Sequence, residues 1–234
     1  MEDLLRELVN RLKAAYGEEL KSVVLYGSAA SGDYHDRHSD LNVLCVLERV
    51  GLAELERAAE PLKWWMAKGQ TPPLFLSVEE IRDGSDAFPI EFIDIKEGYR
   101  LLDGADLVAA IEVSTLNHRR QLEHELRSRL LRLRKRFLES QREDKAVLKL
   151  MLESLPTFAT LFRHALLLAG SNAPVRKQEI FRAVAERFGV GPEPFQSLLE
   201  ARTGALRPPA GQARAWFESY LAGVTRISEI VDEL

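Results

Sequence analysis

The chain has 234 residues, 46% of them hydrophobic and 29% charged, the ordinary composition of a globular protein with a real core. A formal net charge of −4 argues against a protein that lives by wholesale phosphate contacts, so nucleic acid is not the expected partner. One cysteine, Cys45, excludes an internal disulfide; no apolar run reaches bilayer length and the first residues lack the basic start of a secretory signal, so the expectation is a cytoplasmic protein without a membrane partner.

In chain order, Leu4, Leu5, Leu8, Val9, Leu12 and Tyr16 repeat with helical spacing, and Gly17 marks a stop. Residues 22–26 form a short β-branched run suited to a buried strand. Residues 27–39, rich in Gly, Ser, Asp and His, read as a turn or loop, and residues 41–47 as a second strand. Helical periodicity over 52–68 contains Pro61, which should kink or split it. Gly69 and Pro72-Pro73 end that stretch, and residues 74–76 form a short strand. Ser77 and Glu80 have capping-box spacing, so a short helix should follow. Residues 88–95 read as another strand, and residues 99–102 as a further short one. Beyond Gly104 strand signals vanish. Leu122, Leu126, Leu130, Leu133 and Phe137 form the stripe of a long helix. Residues 145–168 are apolar on nearly every face, as the central helix of a bundle should be, with Pro156 bending it. Helices over 178–188, 195–202 and 211–231 complete the chain.

Chemistry concentrates between the first two strands. The run Val23-Val24-Leu25-Tyr26 leads into Gly27-Ser28, and the chain returns through Ser39-Asp40-Leu41-Asn42. Gly27 lets backbone approach a phosphate without a side chain in the way. Ser28 offers a hydroxyl and an N–H. A helix starting at Ala29 would turn its free N–H groups toward the same anion. Asp40 and Asn42, two apart on a strand, point to one face. Carboxylates there, with a third from a neighbouring strand, suit Mg²⁺ held against a triphosphate.

These residues resemble the nucleotidyltransferase superfamily related to DNA polymerase β, in the form that joins a minimal nucleotidyltransferase domain to a helical bundle. The resemblance implies an α+β fold: a mixed sheet with flanking helices over 1–106, then an all-α bundle over 107–234. It implies that Gly27 and Ser28 hold the triphosphate of ATP or another nucleoside triphosphate. Asp40, Asn42 and Glu91 would be the metal ligands for Mg²⁺. Asp40 with Glu91 or Asp94 would be catalytic. Glu91 stands in an apolar-Glu-apolar context and is favoured for the third carboxylate, with Asp94 the other choice; strand alternation puts the two on opposite faces. The departure from the pattern is Asn42, where the family carries a second acid. A neutral amide weakens a two-metal site, and transfer chemistry of this kind depends on electrostatics.

Two functions follow. One is transfer of a nucleoside monophosphate, AMP by expectation, from Mg-NTP to a hydroxyl on a small-molecule or protein acceptor, weakened by Asn42. The other is a catalytically inactive nucleotide-binding or antitoxin-like interaction protein. The oligomeric state stays open and a homodimer is allowed. The remaining polar features have plainer readings. His35 and His38 read as loop residues, and Cys45 as a small buried residue. The arginines over 119–136 read as a solvated helix face laced with local ion pairs. Arg163 and His164 either knit the bundle or face a cleft.

Overall fold

The computed structural model describes residues 1–30, 41–140, 143–206, 208–209 and 211–234, with backbone only at Ser28. The chain divides into two compact units, Met1–Asn117 and His118–Leu234.

In the first unit α1 (Glu2–Tyr16) buries Leu5, Leu8, Val9, Leu12 and Tyr16, the predicted stripe, and stops at Gly17, whose φ is +54°. β1 (Leu20–Tyr26) and β2 (Asn42–Leu47) pair antiparallel. The periodic stretch that follows breaks into α2 (Leu52–Arg57) and α3 (Ala59–Ala67). The break falls at Ala58, which puts Pro61 in the first turn of α3, where its missing N–H costs nothing. The two helices carry the chain across to β3 (Leu74–Ser77), which lies parallel to β2. Ser77 then caps α4 (Val78–Asp83): its hydroxyl accepts from the Glu80 N–H at 3.1 Å, and Glu80 accepts from the Ser77 N–H at 2.7 Å. α5 (Pro89–Glu97) leads into β4 (Tyr99–Gly104), which pairs antiparallel with β1. The mixed sheet has the order β3-β2-β1-β4.

Alternation along the strands separates two apolar layers. Val23, Leu25, Val43, Cys45 and Leu47 pack with the α1 stripe and with Ala58 and Trp65. Trp65 is fully buried and donates its indole N–H to the Thr71 carbonyl at 2.7 Å. Burial in this layer raises the Cys45 thiol pKa, in keeping with a small core residue. Val24, Leu44 and Val46 face the other way and pack with Ile81, Phe92, Ile95, Val108 and Ile111. The antiparallel β1–β4 pair contains an irregularity between Val23 and Val24. Gly104 follows from it: at φ +82°, a Cβ there would sit 2.1 Å from the Lys21 carbonyl oxygen.

One expectation fails. Residues 88–95 are not a strand; they belong to the α5 helix. Pro89 stands at the first helical position, where its fixed φ and absent N–H favour a helix start. Its buried residues are Pro89, Ile90, Phe92 and Ile95, a cluster too short for its period to be read from the sequence.

The second unit contains α6 (from Thr115, ending at Glu139), α7 (Asp144–Leu168), α8 (Lys177–Phe188), α9 (Glu193–Thr203) and α10 (Ala213–Glu233). α7 is central and packs on α8, α9 and α10. Phe158, Phe162, Phe181, Phe195 and Tyr220 form one aromatic cluster, with Phe181 and Phe195 stacked at 4.9 Å. His164 is buried on α7, and its Nδ1 lies 3.0 Å from Nε2 of His118, also buried, on α6. That pair knits the bundle. Arg127 of α6 pairs with Glu123 and Arg129 with Glu125, the expected local pairs, while Arg127 also reaches Asp232 of α10 and Arg136 reaches Glu153 of α7. Among the described residues no helix is long and apolar enough to cross a membrane.

The glycine geometry is testable. Gly69 has φ +80° with open space around its missing Cβ, so Gly69→Ala should cost about 1 kcal/mol for the left-handed backbone alone. Gly104→Ala adds a collision with the Lys21 carbonyl and should cost clearly more. Equal denaturation midpoints for the two variants would contradict the assigned β1–β4 packing.

Candidate functional site

The site is built where β1 ends. Tyr26 is the last residue of that strand, and Gly27 turns the chain at φ +76° into a single 3₁₀ turn, Gly27–Ala29. The turn is tied down on both sides. Gly27 donates its N–H to the Gly98 carbonyl at 2.9 Å, and Ala30 donates to the Gly27 carbonyl at 2.9 Å. Gly27–Ala29 form one short 3₁₀ turn, and the continuation of the helix expected from Ala29 lies outside the described residues. Asp40 and the loop histidines His35 and His38 lie outside the described residues.

Asn42 opens β2 as the direct cross-strand partner of Tyr26. Its Nδ2 would stand 3.1 Å from a Cβ on Gly27. Glycine is thus required at 27 twice, by the positive φ and by the side chain across from it. On the other edge of β2 the parallel register runs Leu44 to Leu74, Cys45 to Phe75, Val46 to Leu76 and Leu47 to Ser77. Carried back two places, that register sets Asn42 abreast of Pro72. The Leu41 N–H donates to Gln70 Oε1 at 3.1 Å, which fixes this approach to β3. Tyr26 is the paired strand neighbour of Asn42; on the other side the ladder ends at Leu44–Leu74, and its extension would point to Pro72.

Asn42 shares its strand face with Leu44 and Val46, and Tyr26 shares its face with Val24. This is the face on which α5 packs through Phe92 and Ile95. The helical form of α5 corrects the reading of Glu91 and Asp94. Three residues apart on a helix, they lie on one side, where a strand would have set them on opposite faces. α5 also lies against β1 and the 27–29 turn. Glu91 is exposed. Asp94 faces Tyr26: burial raises the Tyr26 phenol pKa, and the Asp94 charge adds to that rise. The structure thus brings Tyr26, Gly27 and Asn42 together where β1 meets β2, with the Asp94 charge acting on Tyr26 from α5.

Among the described residues no three His, Cys, Asp or Glu side chains converge as a metal site. Mg²⁺ binding relies on carboxylates. The strand ends described here offer an amide, a phenol and a proline. Asp40, the remaining acid of the motif, lies outside the described residues, so these strand ends are a part of the donor set and not the whole of it. The sequence hid two of these facts. Pro72-Pro73 was visible only as a helix stop, and its place beside Asn42 depends on a β2–β3 register that no local pattern carries. The role of Tyr26 was hidden in its apolar strand.

Residues 5–97 match the family model of the nucleotidyltransferase domain. They form a nucleotidyltransferase-superfamily domain. No curated protein matches the chain in sequence. Among solved structures, the spectinomycin adenyltransferase AAD(9) from Enterococcus faecialis, solved with ATP and spectinomycin, matches with a TM-score of 0.61. The match covers 97% of this chain and 99% of that one at 14% identity, so the likeness is one of fold and extends through both units. Nucleotidyl transfer is the chemistry associated with this domain.

The placement of Asp94 has a direct check. Asp94→Asn removes the charge that opposes Tyr26 ionisation, so the Tyr26 pKa should fall while staying above that of a free phenol, because burial is the larger cause. NMR titration of tyrosine-labelled protein reads this. A Tyr26 pKa unmoved by the substitution would remove Asp94 from the site.

Proposed function

We propose that the protein binds a nucleoside triphosphate at the Gly27–Asn42 end of the sheet and transfers its nucleoside monophosphate slowly to a hydroxyl acceptor, through a site too poor in negative charge to hold two cations. The observation that carries this reading is the pair of neighbours flanking Asn42: Tyr26 on β1 and, by extension of the register, Pro72 before β3. Gly27 spends its own N–H on Gly98, so phosphate oxygens would be met by the following N–H groups and by the Ser28 hydroxyl. Asp40 and Asn42 would address a Mg²⁺ carried in with the nucleotide. Transfer of this kind is governed by positioning and electrostatics, and a neutral ligand at 42 lowers the second far more than the first. The adenyltransferase of similar fold, solved with ATP and spectinomycin, favours AMP as the transferred group and a small molecule as acceptor.

A second reading is favoured by Asp94. Its carboxylate comes from α5 onto the Tyr26–Asn42 face, and there it would replace the charge missing from the strands, with Glu91 one turn away. In that case turnover is intact and depends on Asp94.

Calorimetric titration with Mg-ATP, followed by a pyrophosphate-release assay, separates these. Expected are binding by the wild type, slow release, and a gain of at least about tenfold, roughly 1.4 kcal/mol of barrier, in Asn42→Asp combined with Pro72→Glu. Failure of the wild type to bind ATP would sink the nucleotide reading. Wild-type release as fast as that of the double variant, abolished by Asp94→Asn, would replace the charge-poor site with the α5-assisted one. Binding with no release by any variant would leave the interaction protein.

A further inference from the structure

The helical unit contains a groove of about 530 Å³ between the start of α9 and one face of α10. Its size falls within the range of small-molecule sites, roughly 300–1,000 Å³. The α10 wall is Trp216, Ser219, Ala222, Gly223 and Arg226, a spacing that keeps all five on one side of the helix. The facing wall includes Glu193, in the first turn of α9, and Ser197 one turn later.

The groove exists because of how the two helices meet. At Gly223 a Cβ would lie 2.8 Å from Cζ of Phe195 and 3.5 Å from Val190, so only glycine lets α9 come this close. Phe195 is fully buried in the aromatic cluster and cannot retreat. The side-chain-poor segment of α10 leaves a trough open to solvent beside that contact, with half-buried Trp216 standing along it.

The chemistry of the lining narrows the occupant. Trp216 offers a flat apolar wall that stacks on rings. Of the ten lining residues two carry charge, and they carry opposite signs: Glu193 and Arg226. Arg226 touches Glu229 only loosely, at 3.5 Å on the exposed side of its own helix. A simple anion would meet Glu193 and a simple cation would meet Arg226. A zwitterion with a flat ring meets both with favourable sign, and Ser197 and Ser219 can bond its polar atoms.

We propose that the α9–α10 groove is a second ligand site, separate from the sheet site, that takes a small aromatic zwitterion of the α-amino-acid type, with its ring on Trp216, its carboxylate toward Arg226 and its ammonium toward Glu193. Both charged walls are solvent-exposed, so affinity is modest, with a Kd of roughly 0.1–1 mM.

Calorimetry with L-phenylalanine, N-acetyl-L-phenylalanine and phenethylamine tests this on the full chain. The amino acid should bind saturably at one site. The acetylated compound, lacking the ammonium, and the amine, lacking the carboxylate, should each bind at least fivefold more weakly. Arg226→Gln and Glu193→Gln should level these differences, each for its own compound, and Ala222→Phe should fill the trough and abolish binding. All three positions are exposed, so circular dichroism should show an unchanged fold. No saturable binding of phenylalanine, equal binding of all three compounds, or binding indifferent to Arg226→Gln and Ala222→Phe would each overturn the proposal.

Discussion

The antiparallel pairing of β1 with β2 is the constraint on which the first unit depends. It places Tyr26 opposite Asn42 and holds Gly27 in a left-handed turn whose missing side chain makes room for the Asn42 amide. Everything else in the unit is arranged around those two strands. α1 covers one face through a stripe that is almost wholly excluded from water, where each such leucine contributes roughly 1.5–3 kcal/mol. β3 and β4 add to opposite edges, and α5 closes the second face with Phe92 and Ile95. Gly98, at the end of α5, accepts the Gly27 N–H, so the helix that carries Asp94 is tied to the turn it serves.

The second unit solves a different packing problem. Its central helix α7 is buried on several sides and needs partners that approach closely. The aromatic cluster fills most of that space, and the Ser154 and Tyr220 hydroxyls, 3.0 Å apart, satisfy each other within it. Burial raises the Tyr220 phenol pKa and keeps it neutral. Close approach at Gly223 fixes Phe195 and, as its by-product, leaves the α9–α10 trough. A small-residue contact made for packing can therefore create a binding surface without any residue being set aside for it.

Much of this architecture was legible from local pattern. The α1 stripe, the stop at Gly17, the capping box at Ser77 and the apolar α7 all state their structure within a few residues, because capping and periodicity are local physics. Pro61 was legible as a disturbance, and the structure resolves it as a break at Ala58. The stretch holding Glu91 and Asp94 was not legible. A short apolar run with two acids fits a buried strand or one helical face equally well, and only packing against the sheet decides. Gly27, Ser28 and Asn42 could be marked as a motif, yet the partners of Asn42 could not. Tyr26 becomes its neighbour through a pairing made across the sheet, and the parallel β2–β3 register that points toward Pro72 leaves no trace in either strand alone.

That difference bears on how the domain should be read. A motif records which residues follow one another, whereas a metal site needs charges that converge in space. Here Gly27-Ser28 and Asp40 have the sequence form of a triphosphate site, while Tyr26, the strand partner of Asn42, carries no carboxylate. Neutral positions side by side are harder to offset than one, because Mg²⁺ sites draw their strength from carboxylates and, among the described residues, no strand beside Asn42 brings one. Any compensation has to come from off the sheet. α5 is the described element that reaches the Tyr26–Asn42 face with a carboxylate, and it does so as a helix. A strand at that position would have added a carboxylate in line with the sheet, whereas the helix brings Asp94 in from above the face, where it acts on Tyr26 first.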